Sequence, residues 1–452
     1  MKKRIFTALA LLFAVIMSSG CSMNLSLDNL LSPPKLTDEQ NAIYQALLNS
    51  KGSDVSLKYP KSGDYRSAFV IYNLDDEPTD EAIVFYEATG ISEETNLRIN
   101  FLDQKDGEWV SVYDVPALGT EVERVIFERL SGDTELSIII GYSVLNQSDK
   151  AVSVLKYTDS TPVEIFRGSY SFMDLFDIDY DGQRELFIIN YDKALAYATA
   201  STFAWIDGVF TTTSILDLDP SATEYVSVKQ GNSSDSGTAI FVDYYKGDNS
   251  YGTEVLICRG AVLVKAIGAD YIVRRSNTYT PSVNSRDIDD DGIIEIPATT
   301  VFPGYENLSK PEQLNAVTWS AVEDGSGFRR KYTTYLSTRK DYIFFMPSRW
   351  EGMVTVTQSS DGSEVTIWKA GELNSLDQQL LSIKSAAKSS KPAFDSAEYT
   401  KFEFDAESEY DYYVKRGSVY NSLTLTDDEL NDSLRFIDSS GTVIKGSLKT
   451  TE

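Results

Sequence analysis

The stretch Asp177-Ile178-Asp179-Tyr180-Asp181-Gly182-Gln183-Arg184-Glu185-Leu186, running on into Phe187-Ile188-Ile189, holds the pattern on which much of the chain is built. Carboxylates alternate over its first five residues, a glycine permits a sharp return, and an apolar run begins after the closing Glu. That is an Asp-rich turn feeding a buried strand. Asp287-Ile288-Asp289-Asp290-Asp291-Gly292-Ile293-Ile294-Glu295-Ile296 repeats it 110 residues later. A worn copy, Asn73-Leu74-Asp75-Asp76-Glu77-Pro78-Thr79-Asp80-Glu81-Ala82, precedes Ile83-Val84-Phe85. A shortened copy stands at Ser131-Gly132-Asp133-Thr134-Glu135-Leu136, and a decayed one runs through Ser233-Ser234-Asp235-Ser236-Gly237 to Thr238.

Aligned on Glu81, Glu135, Glu185, Thr238 and Glu295, the copies recur every 50 to 57 residues. Each unit carries a second turn: Asp106-Gly107, Asp159-Ser160, Asp207-Gly208, Arg259-Gly260 and Asp324-Gly325. Period-2 alternation flanks both turns, for example over 68–72, 82–86, 97–102 and 109–113. Four strands per roughly 50-residue unit are the signature of a β-propeller blade. One such sheet cannot bury both its faces, so the units must stack. The fold expected is mainly β: a five-unit β-propeller of four-stranded blades over 55–340, with a small C-terminal α+β domain over 341–440. In that last part, hairpin strands flank Asp361-Gly362, and further strands fall at 380–384, 399–404 and 410–415. Thr426-Asp427-Asp428-Glu429 is a capping box opening a helix with Leu430, Leu434 and Ile437 on one face. Tyr342, Phe344, Trp350 and Trp368 read as core.

The N-terminal end reads as an address. Lys2, Lys3 and Arg4 precede an apolar run over 5–17 that is too short to span a bilayer as a mature helix. It ends at Ser18-Ser19-Gly20-Cys21, which resembles a bacterial lipobox, with Ser18 where Leu is usual. That resemblance implies a signal peptide over 1–20 and palmitate-type acylation of Cys21, hence a lipoprotein lipid-anchored to the cell membrane and extracytoplasmic. A polar tether covers 21–36. Thr37-Asp38-Glu39-Gln40 is a second capping box, opening a helix over 37–52 with Ile43, Ala46, Leu47 and Leu48 at helical spacing. Of the two cysteines, Cys258 then remains alone in an apolar run as a small core residue.

The chain has 41 Lys plus Arg, 68 Asp plus Glu and no His, a formal charge of −27 that becomes −30 once residues 1–20 are removed. Phosphate backbones would repel it, so nucleic acid is excluded as a partner through any basic surface. The missing histidine removes Ser-His and Cys-His nucleophile pairs and imidazole metal ligands. Any chemistry must run on carboxylates, hydroxyls, Lys and Arg.

Calcium takes six to eight oxygens in flexible geometry. Asp177, Asp179, Asp181, a backbone carbonyl near Gln183, and Glu185 could supply them, as could Asp287, Asp289, Asp291 and Glu295. An EF-hand would need its bidentate Glu at the twelfth position, where these loops hold Ile188 and Ala298, so that reading fails. The plainer alternative is an Asp/Gly turn capping its own backbone. The Asp-x-Asp-x-Asp-Gly-x-x-Glu-Leu phrase within blade-length units resembles the FG-GAP/VCBS repeats of integrin-α-like propellers. With lipobox, helix and tail it is similar to clostridial (Firmicutes) lipoproteins that carry such repeats. The resemblance implies structural calcium and a cell-surface binding or scaffold protein with a protein or glycan ligand, not an enzyme. The alternative is a carboxylate-dependent glycoside hydrolase or other glycan-acting enzyme, which needs two acids flanking the scissile bond.

Overall fold

The computed structural model describes residues 36–449 apart from 89–95, 146–148, 235–236, 247–249, 267–272, 276–282, 310–311, 324–326, 371–377, 419–420 and 439–440. The signal-peptide, Cys21 and most of the tether expectations, the Asp235-Ser236 tip and the Asp324-Gly325 turn lie outside the described residues.

Helix α1 (Asp38–Lys51) begins at Thr37, whose hydroxyl accepts from the Gln40 backbone while the Gln40 side chain accepts from Thr37 N–H. Antiparallel sheets follow in chain order. The first holds β1 (Val55–Leu57), β2 (Phe69–Tyr72), β3 (Glu81–Ala88), β4 (Leu97–Lys105) and β5 (Glu108–Pro116). The second holds β6 (Glu121–Glu128), β7 (Ser137–Ser143), β8 (Lys150–Thr158) and β9 (Thr161–Tyr170). The third holds β10 (Phe172–Phe176), β11 (Glu185–Asp192), β12 (Tyr197–Ile206) and β13 (Val209–Leu218). The fourth holds β14 (Glu224–Ser234), β15 (Gly237–Tyr245), β16 (Ser250–Arg259), β17 (Val262–Lys265) and β18 (Val273–Arg275). The fifth opens with β19 (Ile296–Val301), β20 (Asn315–Glu323), β21 (Gly327–Ser337) and β22 (Tyr342–Met346). Most are up-and-down ladders of four strands in succession, a mainly β, propeller-like arrangement.

The apolar runs explain the stacking. Side chains alternate across a strand, so a strand apolar at every position must be covered on both faces. Ile83 and Phe85 pack with Ile138 and Ile140 between the first and second sheets. Ile139 packs with Leu186 and Ile188 between the second and third, Phe187 and Ile189 with Ile240 and Val242 between the third and fourth. Ala239 and Phe241 meet Ile294 and Ile296 between the fourth and fifth. The remaining face of the first sheet, with Ala82, Val84 and Tyr86, is filled by Ile43 and Leu47 of α1. Burying such aliphatic side chains contributes about 1.5–3 kcal/mol each.

Two expectations change. The sheet does not break at 341: β22 pairs with β21 on one side and with β28 (Leu434–Ile437) on the other. The sheet then continues through β29 (Val443–Leu448), β26 (Thr400–Phe404), β27 (Tyr410–Arg416), β25 (Gln379–Ala387), β24 (Glu364–Lys369) and β23 (Val354–Gln358). Helix α2 (Asp427–Ser433) is shorter than its apolar spacing suggests, because Leu434 and Ile437 belong to β28, where ladder bonds to β22 replace helical ones. Trp350 is buried against Phe344, and its indole N–H donates to Leu423 O at 2.8 Å.

Candidate metal centre

The two intact Asp-rich loops have the same backbone. Tyr180 and Asp290, at the fourth position, have φ of 64° and 66°, and Gly182 and Gly292, at the sixth, have 87° and 85°. The sixth position therefore needs glycine. In the worn copy that position is Pro78, whose ring excludes positive φ, although Asp76 keeps a left-handed fourth position at 62°.

The first Asp and the closing Glu organise each loop. Gly182 N–H donates to Asp177 Oδ2 at 3.2 Å and Gly292 N–H to Asp287 Oδ2 at 2.7 Å. Gln183 N–H reaches Asp181 Oδ1 at 2.7 Å and Ile293 N–H reaches Asp291 Oδ1 at 3.0 Å. The closing carboxylates Glu81, Glu185 and Glu295 are all buried, and each accepts the backbone N–H seven residues earlier: Leu74 at 2.6 Å, Ile178 at 2.7 Å and Ile288 at 3.0 Å. That bond turns the apolar second residue inward, so Leu74, Ile178 and Ile288 join the core. Burial pushes the Glu81 and Glu295 carboxyls up to about 7, and it also raises Glu185 against the Ile178 N–H and the Ser131 hydroxyl.

Sheet register moves one alignment. Ala82 and Leu186 each lie opposite the first residue past a bulge in the next strand, and in the second sheet that residue is Ile138. The closing position there is thus Ser137, not Glu135, which is exposed and pairs with Lys156. Thr238 lies buried within β15, opposite Asn232 of β14.

Three carboxylates converge in each intact loop. Asp177, Asp179 and Glu185 each place one oxygen within 4.8 Å of the others, and so do Asp287, Asp289 and Asp291. Oxygens bound to calcium at about 2.4 Å lie at most about 4.8 Å apart, so both spacings are within reach of one ion. Asp181 stays outside the first cluster, holding its own turn. Gln183 turns its side chain away, its Oε1 accepting from Gly132 N–H at 2.9 Å. Asp177 Oδ1 in the third loop and Asp289 Oδ1 in the fifth are each buried with no hydrogen-bond partner, oxygens suited to a cation.

The surroundings of the clusters differ. Among the described residues, no Lys or Arg forms an ion pair with Asp177, Asp179, Asp181 or Glu185. In the fifth loop, Lys331 Nζ lies 2.9 Å from Asp289, 2.5 Å from Asp291 and 2.8 Å from Glu295. Tyr332 donates its hydroxyl to Asp289 Oδ2 at 2.6 Å. Burial opposes ionisation of Asp289, but Tyr332 and Lys331 outweigh it and hold its carboxyl below the ordinary value. Sequence reasoning missed Lys331, which is 36 residues beyond the loop's last residue.

The loops also fasten neighbouring sheets. Ser131 N–H donates to Arg184 O at 2.9 Å, Gln230 Nε2 donates to Asp177 O, and Asn232 Nδ2 donates to Gly292 O at 3.1 Å. Cys258 is half-buried beside the third and fourth sheets' shared core. Burial, then the charges of Glu185 and Asp177, push its thiol up to about 12, so it is no thiolate at neutral pH.

No family model matches the chain, and no curated protein matches it. Among solved structures, a protein from Lactobacillus plantarum is similar at 9% identity, covering 67% of this chain and 90% of that one, with a TM-score of 0.26. Likeness that loose bears on neither fold details nor function.

Proposed function

We propose that this chain is a non-catalytic binding or scaffold protein, held at the outer face of a membrane by lipid on Cys21. Its five sheets are the blades of a β-propeller, and the 177–185 loop is stapled by calcium. The observation that carries this reading is the use made of the loop carboxylates: they fix their own backbone, and the loops bond to adjacent sheets. Acids committed in this way shape a scaffold, and Asp177, Asp179 and Glu185 would hold the ion. Bound calcium would neutralise their mutual repulsion and lock the joint between the third and fourth sheets. FG-GAP-like spacing and the lipobox support the surface lipoprotein part of the reading.

The hydrolase reading needs two free carboxyls flanking one cleft. A cleft of about 720 Å³ between β21, β22 and α2 includes Glu351, Glu429 and Asp432. Glu351 is paired with Arg330 and Glu429 with Arg349, so nothing there favours that chemistry. The test is to express the full chain and a Cys21→Ser variant and compare membrane fractions, crosslinked partners and glycan hydrolysis. The expected result is membrane-bound parent, soluble variant and a captured protein or glycan without turnover. Release of reducing sugar that is lost on a Glu→Gln change would replace this reading with the hydrolase.

A further inference from the structure

Lys331 reaches the fifth loop through a bulge. The β20–β21 ladder pairs Trp319 with Tyr332 and Ser320 with Arg330, skipping the residue between. A bulged residue is re-aimed out of the ladder, and Lys331 is turned on the loop with its side chain only 9% exposed. Its ammonium donates to Asp291 and Glu295 and pairs with Asp289 at 2.9 Å, so three carboxylates surround one cation. The skipped place is repeated in other sheets with uncharged residues: Val112 in the first, Ile165 in the second and Thr213 in the third. Thr213 instead puts its hydroxyl 2.7 Å from that of Thr202. A weaker version of the device stands in the second sheet, where Lys156 on β8 lies 2.5 Å from Asp133 and 2.8 Å from Glu135.

Calcium and Lys331 compete for the fifth-loop oxygens: of the convergent Asp287, Asp289 and Asp291 carboxylates, two are already held by the ammonium. An ion 2.3–2.6 Å from the carboxylates of Asp289, Asp291 and Glu295 would fall on the ammonium, in contact with like charge. We propose that Lys331 is the resident cation of the fifth loop. It balances Asp289, Asp291 and Glu295 and excludes a divalent ion, so of the two intact Asp-rich loops only 177–185 is a metal loop. The second half of this statement rests on the calcium reading above; the first half does not.

The test is calcium titration of the chelator-treated full chain by calorimetry, in parent, Asp179→Ala, Asp289→Ala, Lys331→Met and Lys331→Arg forms. The parent should take up one ion, Asp179→Ala none and Asp289→Ala still one. Lys331→Met should take up one more than the parent, and Lys331→Arg no more. An ion lost from the parent by Asp289→Ala overturns the assignment, and so does a folded Lys331→Met protein with no added ion. A parent that binds no calcium while Lys331→Met binds one sinks the reading of 177–185 and supports the role of Lys331. If Lys331→Met does not fold, parent and Asp289→Ala decide alone: equal uptake supports the assignment, and a lost ion overturns it.

Discussion

The third and fifth loops share ten-residue phrases, left-handed positions and the Glu-to-backbone bond, yet they differ in what answers their charge. The fifth meets the ammonium of Lys331 and the hydroxyl of Tyr332. The third meets no ion-paired Lys or Arg among the described residues, although each loop keeps one buried, unpartnered oxygen, Asp177 Oδ1 and Asp289 Oδ1. A shared local pattern thus sets a loop's shape, while its cation demand depends on one residue contributed by a distant strand.

The largest expected effect comes from removing the built-in cation. With chelator present, Lys331→Met should cost about 3–5 kcal/mol in denaturant unfolding, because it leaves buried carboxylates uncompensated. A loss under about 1 kcal/mol would mean that the two loops are electrostatically alike after all. Calcium should act on the other loop. At a hundredfold excess over its Kd it should stabilise the parent by about 2.7 kcal/mol, read as a rise in Tm over chelator that is lost in Asp179→Ala. The reciprocal exchange, Thr213→Lys, places an ammonium stem at the third sheet's bulge and should abolish that calcium-dependent rise. A persistent rise would show that bulge position does not decide the matter.

The worn loop sharpens the comparison through pH. Burial pushes Glu81 from its ordinary 4.5 up to about 7, so over that range the folded chain holds a proton that the unfolded chain has released. Stability on this account falls as pH rises from about 4.5 through about 7 and is level on either side. Glu81→Gln should flatten that slope, by a difference on the order of 1–3 kcal/mol between pH 5 and pH 8 in urea unfolding. An unchanged pH profile would place the titration elsewhere. The smallest effect belongs to Tyr332→Phe, which removes one hydroxyl donor from Asp289 and should cost about 1–1.5 kcal/mol with no change in calcium uptake. Gain of a calcium ion there would show that Tyr332, as well as Lys331, keeps the fifth loop closed to metal.

Much of the local architecture was legible. Apolar runs such as 186–189, buried on alternate faces, and the capping boxes at Thr37 and Thr426 are each written within a few residues, and local bonding reproduces them. Of the expected Asp177, Asp179, Asp181, Gln183 and Glu185, the first, second and last converge, whereas Asp181 and Gln183 are turned to other partners. Other features were not legible. Leu434 and Ile437 sit at helical spacing after α2, but an available edge on β22 draws them into a strand. Glu135 matches the repeat by eye, whereas ladder register makes Ser137 its true counterpart, because a two-residue offset keeps the facing and is invisible to period-2 patterning.

The sequence by itself determined the repeated Asp-rich turns, the apolar strands that follow them and the acidic excess, all consequences of side-chain type and near-neighbour bonding. The tertiary structure alone decided which sheet face each apolar row covers, that α1 fills the free face of the first sheet, and that Lys331 reaches the fifth loop. Those outcomes depend on contacts between residues tens of positions apart, set by strand register and one bulge, where a single skipped residue changes which side chain points at three carboxylates.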